Sequence, residues 1–113
     1  MNQTETTAAT GPLTWTITEG ERFTVAEFSI TAENGSLNYK DLPAADLPEK
    51  LKMNKGLVIS GRGPVWLYGH LVHRAHPFAW VAIYDPRLKG AVVIERHVID
   101  APEVGETILI NHS

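Results

Sequence analysis

Residues 56–84 read GLVISGRGPVWLYGHLVHRAHPFAWVAIY, and this stretch decides the predicted fold. It opens with Gly56–Ser60, a short apolar run that is typical of a strand covered on both faces. Over residues 64–76 the apolar side chains recur every three or four positions, which predicts a helix that Pro77 ends. Trp80–Tyr84 reads as a second apolar strand. Strand, helix and strand in this order predict a βαβ unit with parallel strands and a right-handed crossover.

The flanking sequence adds strands on both sides of this unit. Residues 13–30 alternate apolar and polar side chains around a Glu-Gly turn, which predicts a β-hairpin. Residues 91–95 and 107–110 read as two further strands, and two prolines limit residues 37–55 to one short helical turn. The chain therefore reads as an α/β protein, a small two-layer sandwich with a sheet of mixed direction.

Composition indicates one globular domain. Of the 113 residues, 43% are hydrophobic and 20% are charged, which is enough apolar material for a single core. Residues 1–12 are polar and lack periodicity, which predicts a flexible tail ahead of a domain at residues 13–113. Cysteine is absent, so disulfides, thiolate metal sites and a cysteine nucleophile are excluded. With no signal peptide and no apolar run long enough to cross a bilayer, we expect a cytoplasmic protein without a membrane partner.

Charge is distributed unevenly along the chain. The net charge of -3 provides no bulk basic field for DNA. Residues 1–49 hold eight acids and two bases, whereas residues 50–84 hold no acid at all. A local cationic segment in an acidic chain indicates a site for an anionic ligand, although an acid-free stretch can also arise by chance around a buried strand and helix. The bases of this segment are Lys50, Lys52, Lys55, Arg62 and Arg74.

The turn between the first predicted strand and the helix is a candidate anion site. Free backbone N–H groups and the positive end of the helix dipole meet where Pro64 begins the helix. Gly61 and Gly63 would let a phosphate approach the backbone closely, while Ser60 offers a hydroxyl and Arg62 a guanidinium. The sequence is neither a dinucleotide fingerprint nor a P-loop, and a tight structural turn is the alternative interpretation.

Three histidines follow on the predicted helix. His70 and His73 share the helix face of Trp66, and His76 lies at the last turn. Imidazoles at this spacing could bind a divalent metal or serve as general acid and base near neutral pH, although surface histidines are more often simply solvated.

An acidic turn follows the second predicted strand. Because this strand should run parallel to the first, Asp85 and Arg87 are expected at the same edge of the sheet as the glycine-rich turn. Asp85 could orient a histidine, help to hold a metal or pair with Arg87. Three further residues have no spacing partner and read as scaffold or surface: Glu95, His97 and His112.

Three segments taken together resemble a known family. Gly56–Tyr68 (GLVISGRGPVWLY), His73–His76 (HRAH) and Val81–Leu88 (VAIYDPRL) are similar to the small CRISPR-associated ring nucleases of type III systems, the "Csx-three" family. The resemblance covers residues 55–96. It implies a fold distantly related to the Rossmann-like sensor domains of CRISPR systems. It also implies binding and cleavage of cyclic tetra-adenylate, the second messenger made when a type III complex detects foreign RNA, which would switch off the antiviral response.

The resemblance also implies site residues, a metal and an assembly. The catalytic positions of the family carry over to His76, Asp85 and Arg87, and His73 matches a histidine linked to a manganese-containing region, so His73 and His76 are candidate ligands of Mn²⁺. Homodimers are expected, with tetramers or filaments in which the ring lies between the ligand face of one dimer and the catalytic face of the next. The expected ligand-binding residues are Ser60, Gly61, Arg62, Gly63, Pro64 and Trp66.

Two other functions are compatible with the same residues. A Mn²⁺-dependent 3′-exonuclease that trims adenylate-tailed RNA could use the histidine helix equally well. A sensor that binds cyclic oligoadenylate without cleaving it would need only the glycine-rich turn.

Overall fold

The computed structural model describes residues 4–110, whose strands form one seven-stranded sheet in the order of the chain. Three consecutive strands, β3, β4 and β5, run parallel, and every other neighbouring pair is antiparallel. The elements are β1 (Thr4–Thr10), β2 (Leu13–Glu19), β3 (Phe23–Ile30), a 3-10 helix (Tyr39–Ala44), β4 (Gly56–Gly61), α1 (Val65–Arg74), β5 (Trp80–Asp85), β6 (Gly90–Arg96) and β7 (Thr107–Leu109).

Strand β4 lies at the centre of the sheet and is buried on both faces. Leu57 and Ile59 belong to the core cluster that includes α1, Val58 belongs to the cluster on the opposite face, and all three are fully buried. The helix packs Leu67 and Leu71 against the first of these faces. Each such buried aliphatic side chain stabilises the fold by about 1.5–3 kcal/mol. This packing fixes the position of both ends of β4, and therefore of the turn that leads into α1.

The predicted fold class is wrong. The expected two-layer α/β sandwich, distantly Rossmann-like, is replaced by a seven-stranded sheet with one α-helix among the described residues. The predicted order of strand, helix and strand is present as β4, α1 and β5 with β4 and β5 parallel, and the sheet is of mixed direction as expected. Within residues 4–110 the helical elements are the ten-residue α1 and the six-residue 3-10 helix, so no continuous helical layer covers the sheet. Antiparallel neighbours such as β5, β6 and β7 need only turns between them, and for that reason most strands add no helix. No helix in this part of the chain is long and apolar enough to cross a membrane.

The N-terminal segment belongs to the sheet rather than to a tail. The strand β1 pairs with β2 along its whole length, from Thr4 opposite Glu19 to Thr10 opposite Leu13. The Thr10 hydroxyl accepts a 2.8 Å hydrogen bond from the Trp15 indole and donates one of 2.6 Å to a backbone carbonyl. Most side chains of this edge strand are exposed, so it lacks the apolar alternation that identifies a strand. Residues 1–3 of the predicted tail lie outside the described residues.

Candidate functional site

Two of the predicted site segments meet at one edge of the sheet. Strands β4 and β5 are parallel and place Ile59 opposite Ile83, so Gly61 and Asp85 both lie two residues beyond this pair. Neighbouring strands are about 4.8 Å apart. The turn Ser60–Pro64 and the turn Asp85–Arg87 are therefore neighbours at the carboxyl ends of the parallel strands, and together they are called the loop end below.

The backbone of the first turn is held in a fixed shape by two aromatic rings. Gly61 has a φ of +143°, and a Cβ atom placed on it would lie 2.7 Å from the Phe28 ring and from the Phe28 carbonyl oxygen. The Tyr68 hydroxyl donates a hydrogen bond to the Gly61 carbonyl, and the Phe28 and Tyr68 rings pack edge to face at 5.5 Å. Arg62 is exposed between the two glycines. The turn thus presents one arginine from a backbone that neighbouring side chains constrain.

The start of α1 adds backbone donors beside this arginine. Pro64 occupies the N-cap position without a side-chain hydrogen bond, and the first turn contains no acidic residue. An uncapped helix N-terminus carries free N–H groups and partial positive charge, both of which favour an anion. Trp66 in this first turn is 39% exposed, so its ring is available to an aromatic ligand. Ser60 is only 4% exposed, so its hydroxyl is not presented at the surface.

The second turn holds an arginine in an ion pair. Arg87 donates from Nε to Asp85 Oδ1 at 3.3 Å and from Nη2 to Asp85 Oδ2 at 3.2 Å, and its backbone N–H donates to Oδ1 at 2.9 Å. These hydrogen bonds lower the pKa of Asp85 and raise the pKa of Arg87. Both groups are ionised at neutral pH, so Asp85 is not a proton donor there. The side chain of Arg87 remains 90% exposed, and its free edge can meet an anion.

His76 lies at the other end of β5. It precedes this strand whereas Asp85 ends it, and the six-residue strand separates the two by roughly 17 Å. Within one protomer Asp85 therefore cannot orient His76. The contacts of His76 are instead with Glu95, whose Oε1 is 3.8 Å from Nδ1, and with His97, whose ring centroid is 4.5 Å away. His97 Nε2 lies 3.0 Å from the same Oε1.

These three residues, His76, Glu95 and His97, are called the histidine cluster below. Among residues 4–110 they are the one group of three or more histidine and carboxylate side chains close enough to hold a metal ion. The sheet thus separates two sites, with arginines at the loop end and imidazoles at the opposite end.

Comparison with known proteins identifies the family. The sequence model described as CRISPR-associated protein (Cas_csx3) matches residues 30–109. The chain belongs to this CRISPR-associated family. An uncharacterized protein of Aquifex aeolicus (strain VF5) is 39% identical over 74 residues, which cover 66% of this chain and 67% of that protein. The family match includes both the loop end and the histidine cluster, and the family resemblance of the three motifs is confirmed.

The remaining histidines of this family member lie outside the cluster. The Nε2 atom of His70 is 2.8 Å from the carbonyl oxygen of Ala45, so His70 ties α1 to the segment that follows the 3-10 helix. His73 is exposed on the helix, and its role as a partner of His76 in metal binding stays a prediction. His112 lies outside the described residues.

Sequence reasoning missed Glu95 and His97 as candidate site residues. They lie 19 and 21 positions after His76, so no local spacing connects them. The available signal was their alternation at the end of a predicted strand, which brings both side chains to one face. Their proximity to His76 follows only from the pairing of β6 with β5, in which Arg96 at the end of β6 lies opposite Trp80 at the start of β5. His76 lies just before β5, so this pairing brings Glu95 and His97 close to it.

The hydrogen bond from Tyr68 allows a test of how the turn is held. We expect Tyr68→Phe to lower the free energy of unfolding by about 1 kcal/mol, because the Gly61 carbonyl loses its donor. Urea denaturation measures the change. The matched control is Tyr39→Phe, whose side chain is exposed and which should stay within about 0.5 kcal/mol of the parent. Equal effects of the two substitutions would contradict the role given to Tyr68.

Proposed function

We propose that this CRISPR-associated protein binds cyclic tetra-adenylate at its loop end and cleaves the ring. The observation that carries the proposal is the convergence of three anion-binding features at one edge of the sheet. These are the exposed Arg62, the exposed guanidinium of Arg87 and the uncapped start of α1. Each chain supplies two guanidinium groups, so a two-fold dimer would offer one to each phosphate of the ring.

The adenines of the ring find suitable partners beside the phosphates. Trp66 and Val65 are both exposed in the first turn of α1. Stacking of a base on an aromatic side chain contributes about 1–3 kcal/mol. Recognition by stacking and phosphate contacts is typical of single-stranded RNA, and no pairing partner for the bases is required.

Cleavage needs no nucleophile from outside the ring. The 2′-oxygen of a ribose forms a bond to the adjacent phosphorus while the bond to the 5′-oxygen breaks. The proton leaves the 2′-hydroxyl for a base, and an acid protonates the departing 5′-oxygen. His76 has the chemistry of either group near neutral pH. Arg87 would stabilise the negative charge that develops on the phosphoryl oxygens, with Asp85 fixing its orientation.

The proposed phosphate-binding residues and His76 lie at opposite ends of the sheet, so two copies of the chain would be needed to complete the site. Because His76 lies at the end of β5 opposite Asp85, it would reach a ring at the loop end only from another copy of the chain. A ring held between the loop end of one dimer and the histidine-cluster end of the next meets this requirement, and repetition gives a tetramer or a filament. If Mn²⁺ takes part, the histidine cluster is where it would bind, and it would supply Lewis-acid stabilisation of phosphoryl oxygens.

Incubation of the full chain with cyclic tetra-adenylate tests the proposal directly. We expect linear di-adenylate as the product, separated by ion-exchange chromatography and identified by mass, in reactions with and without Mn²⁺. Linear tetra-adenylate at matched concentration is the control, because an exonuclease would prefer it to the ring. Binding without turnover under both conditions would identify a sensor and contradict the nuclease proposal.

A further inference from the structure

We infer that strand β1 (Thr4–Thr10) is an interface at which two copies of this chain pair edge to edge and join their sheets. Among residues 4–110, β1 lies at one edge of the sheet and pairs with β2 alone. It lies outside residues 30–109, the part of the chain that matches the family. Two strands separate β1 from β4, so the inference does not require that the loop end bind a nucleotide.

The free edge of β1 is long and lacks the usual protection against pairing. Natural proteins block exposed strand edges with lysine, proline, bulges, short strands or a covering segment. The strand reads TETTAAT, with no lysine, no proline and no register shift along its seven residues, whereas β7 at the other edge has three residues. Within residues 4–110, no backbone hydrogen bond from another segment reaches the free side of β1. An edge of this kind is suited to adding a further strand.

The hydrogen-bonding pattern selects an antiparallel pairing with a two-fold axis at Thr7. The two-residue turn after β1 makes Thr10 and Leu13 a hydrogen-bonded pair, and such pairs alternate along an antiparallel ladder. Glu5, Thr7 and Ala9 therefore direct their backbone N–H and C=O groups away from β2. A two-fold axis at Thr7 places Thr7 opposite its own copy and Glu5 opposite Ala9, so these outward groups meet one another.

Charge complementarity indicates that the added strand is β1 of a second copy. Lys50 and Glu5 are both exposed, and neither forms an ion pair with another described residue. Lys50 lines a cavity of about 440 Å³ beside the free edge, together with Ala8 and Ala9. Because Glu5 of the second copy would lie opposite Ala9, it would enter the surroundings of Lys50. The two-fold axis repeats this contact, so the dimer gains two ion pairs and brings no two glutamates together.

Single cysteines in the full chain test the pairing, because the chain has no cysteine of its own. Directly opposite Cα atoms of a hydrogen-bonded pair are about 5.5 Å apart, within the roughly 4.4–6.8 Å that a disulfide spans. Thr7→Cys should therefore form a disulfide-linked dimer in a glutathione redox buffer, seen by non-reducing electrophoresis.

Thr16→Cys is the matched control for this cross-link. Thr16 lies opposite Thr7 on β2 and shares its face of the sheet. Its counterpart in the paired copy would be three strand spacings away, roughly 14 Å, which is too far for a disulfide. Equal cross-linking of the two variants would overturn the inference. So would a Thr7→Cys chain that forms no linked dimer, because the edge would then be left to a strand of another protein.

Charge reversal in the Thr7→Cys chain gives a second test that exposed side chains should tolerate. Glu5→Lys and Lys50→Glu should each lower the equilibrium ratio of linked dimer to free thiol by about tenfold or more, because like charges would then meet. Combining the two changes should return the ratio to within about threefold of the Thr7→Cys chain, since the pair is restored with its signs exchanged. A combined variant that does not recover would contradict the two-fold pairing. No nucleotide is present in either test, so failure here leaves the proposal of ring cleavage standing.

Discussion

Gly61→Ala is expected to lower the free energy of unfolding by about 3 kcal/mol, the largest stability loss that we expect from a single added methyl group at the candidate site. Gly61 adopts a φ of +143°, which L-amino acids other than glycine rarely adopt. Its added Cβ would lie 2.7 Å from both the ring and the carbonyl oxygen of Phe28. Phe28 is buried and packs against Trp15 at 5.6 Å, so it cannot yield freely. Urea denaturation followed by tryptophan fluorescence measures the loss.

Gly69→Ala provides the matched control for this substitution. Gly69 lies within α1, and a Cβ added there meets no atom within 4 Å. Replacing a helical glycine by alanine should raise the free energy of unfolding by about 0.5–1 kcal/mol. The two substitutions add the same methyl group within eight residues of each other and should have opposite signs. If Gly61→Ala proves as stable as Gly69→Ala, the first turn of the loop end is not constrained as described.

The elements that the sequence predicts correctly are those whose partners are close along the chain. The hairpin over residues 13–30 is confirmed as β2 and β3, and the predicted helix over residues 64–76 contains α1. In each case the pattern follows from the packing of adjacent turns or strands on one core. Pro77 ends the predicted helix, and the apolar run Gly56–Ser60 predicts a strand. Both predictions depend only on the local sequence.

The errors come from contacts that no local pattern encodes. The segment Thr4–Thr10 pairs with β2 along its whole length through the backbone, and its sequence has no alternation of apolar and polar residues that would identify a strand. The predicted class is wrong because one amphipathic helix between two strands does not amount to a helical layer over the sheet. Here α1 is the only α-helix among residues 4–110, and the sheet extends beyond it through antiparallel strands.

The candidate site shows the same division. Asp85 and Arg87 are two residues apart, and their ion pair was one of the interpretations that the sequence alone allowed. The predicted parallel strands also correctly place this turn at the same edge of the sheet as the glycine-rich turn. The contact of His76 with Glu95 and His97 depends instead on the pairing of β5 with β6 and on the end of α1 together. The prediction that Asp85 could orient His76 is wrong within one protomer, because the full length of β5 separates the two residues.

A mixture of Arg62→Ala and His76→Ala chains is expected to cleave the ring faster than the two variants do separately. His76→Ala should lose about 10²–10⁴-fold in rate as the proposed acid or base is removed, while still binding the ring. Arg62→Ala should bind the ring more weakly by about 1.5–3 kcal/mol, the contribution of a charged hydrogen bond. In a stack, the intact loop end of a His76→Ala chain can face the intact histidine cluster of an Arg62→Ala chain.

If the dimers keep their own subunits on mixing, random stacking of equimolar dimers would bring an intact loop end against an intact histidine cluster in about a quarter of the contacts of a head-to-tail interface. The initial rate of di-adenylate formation, measured for each variant and for the mixture at constant total protein, gives the comparison. Arg62→Ala mixed with Arg87→Ala is the control, because both changes damage the same end and leave no chain with an intact loop end. A mixture that cleaves no faster than the sum of its separate components would mean that the ring is not held between the loop end of one copy and His76 of another.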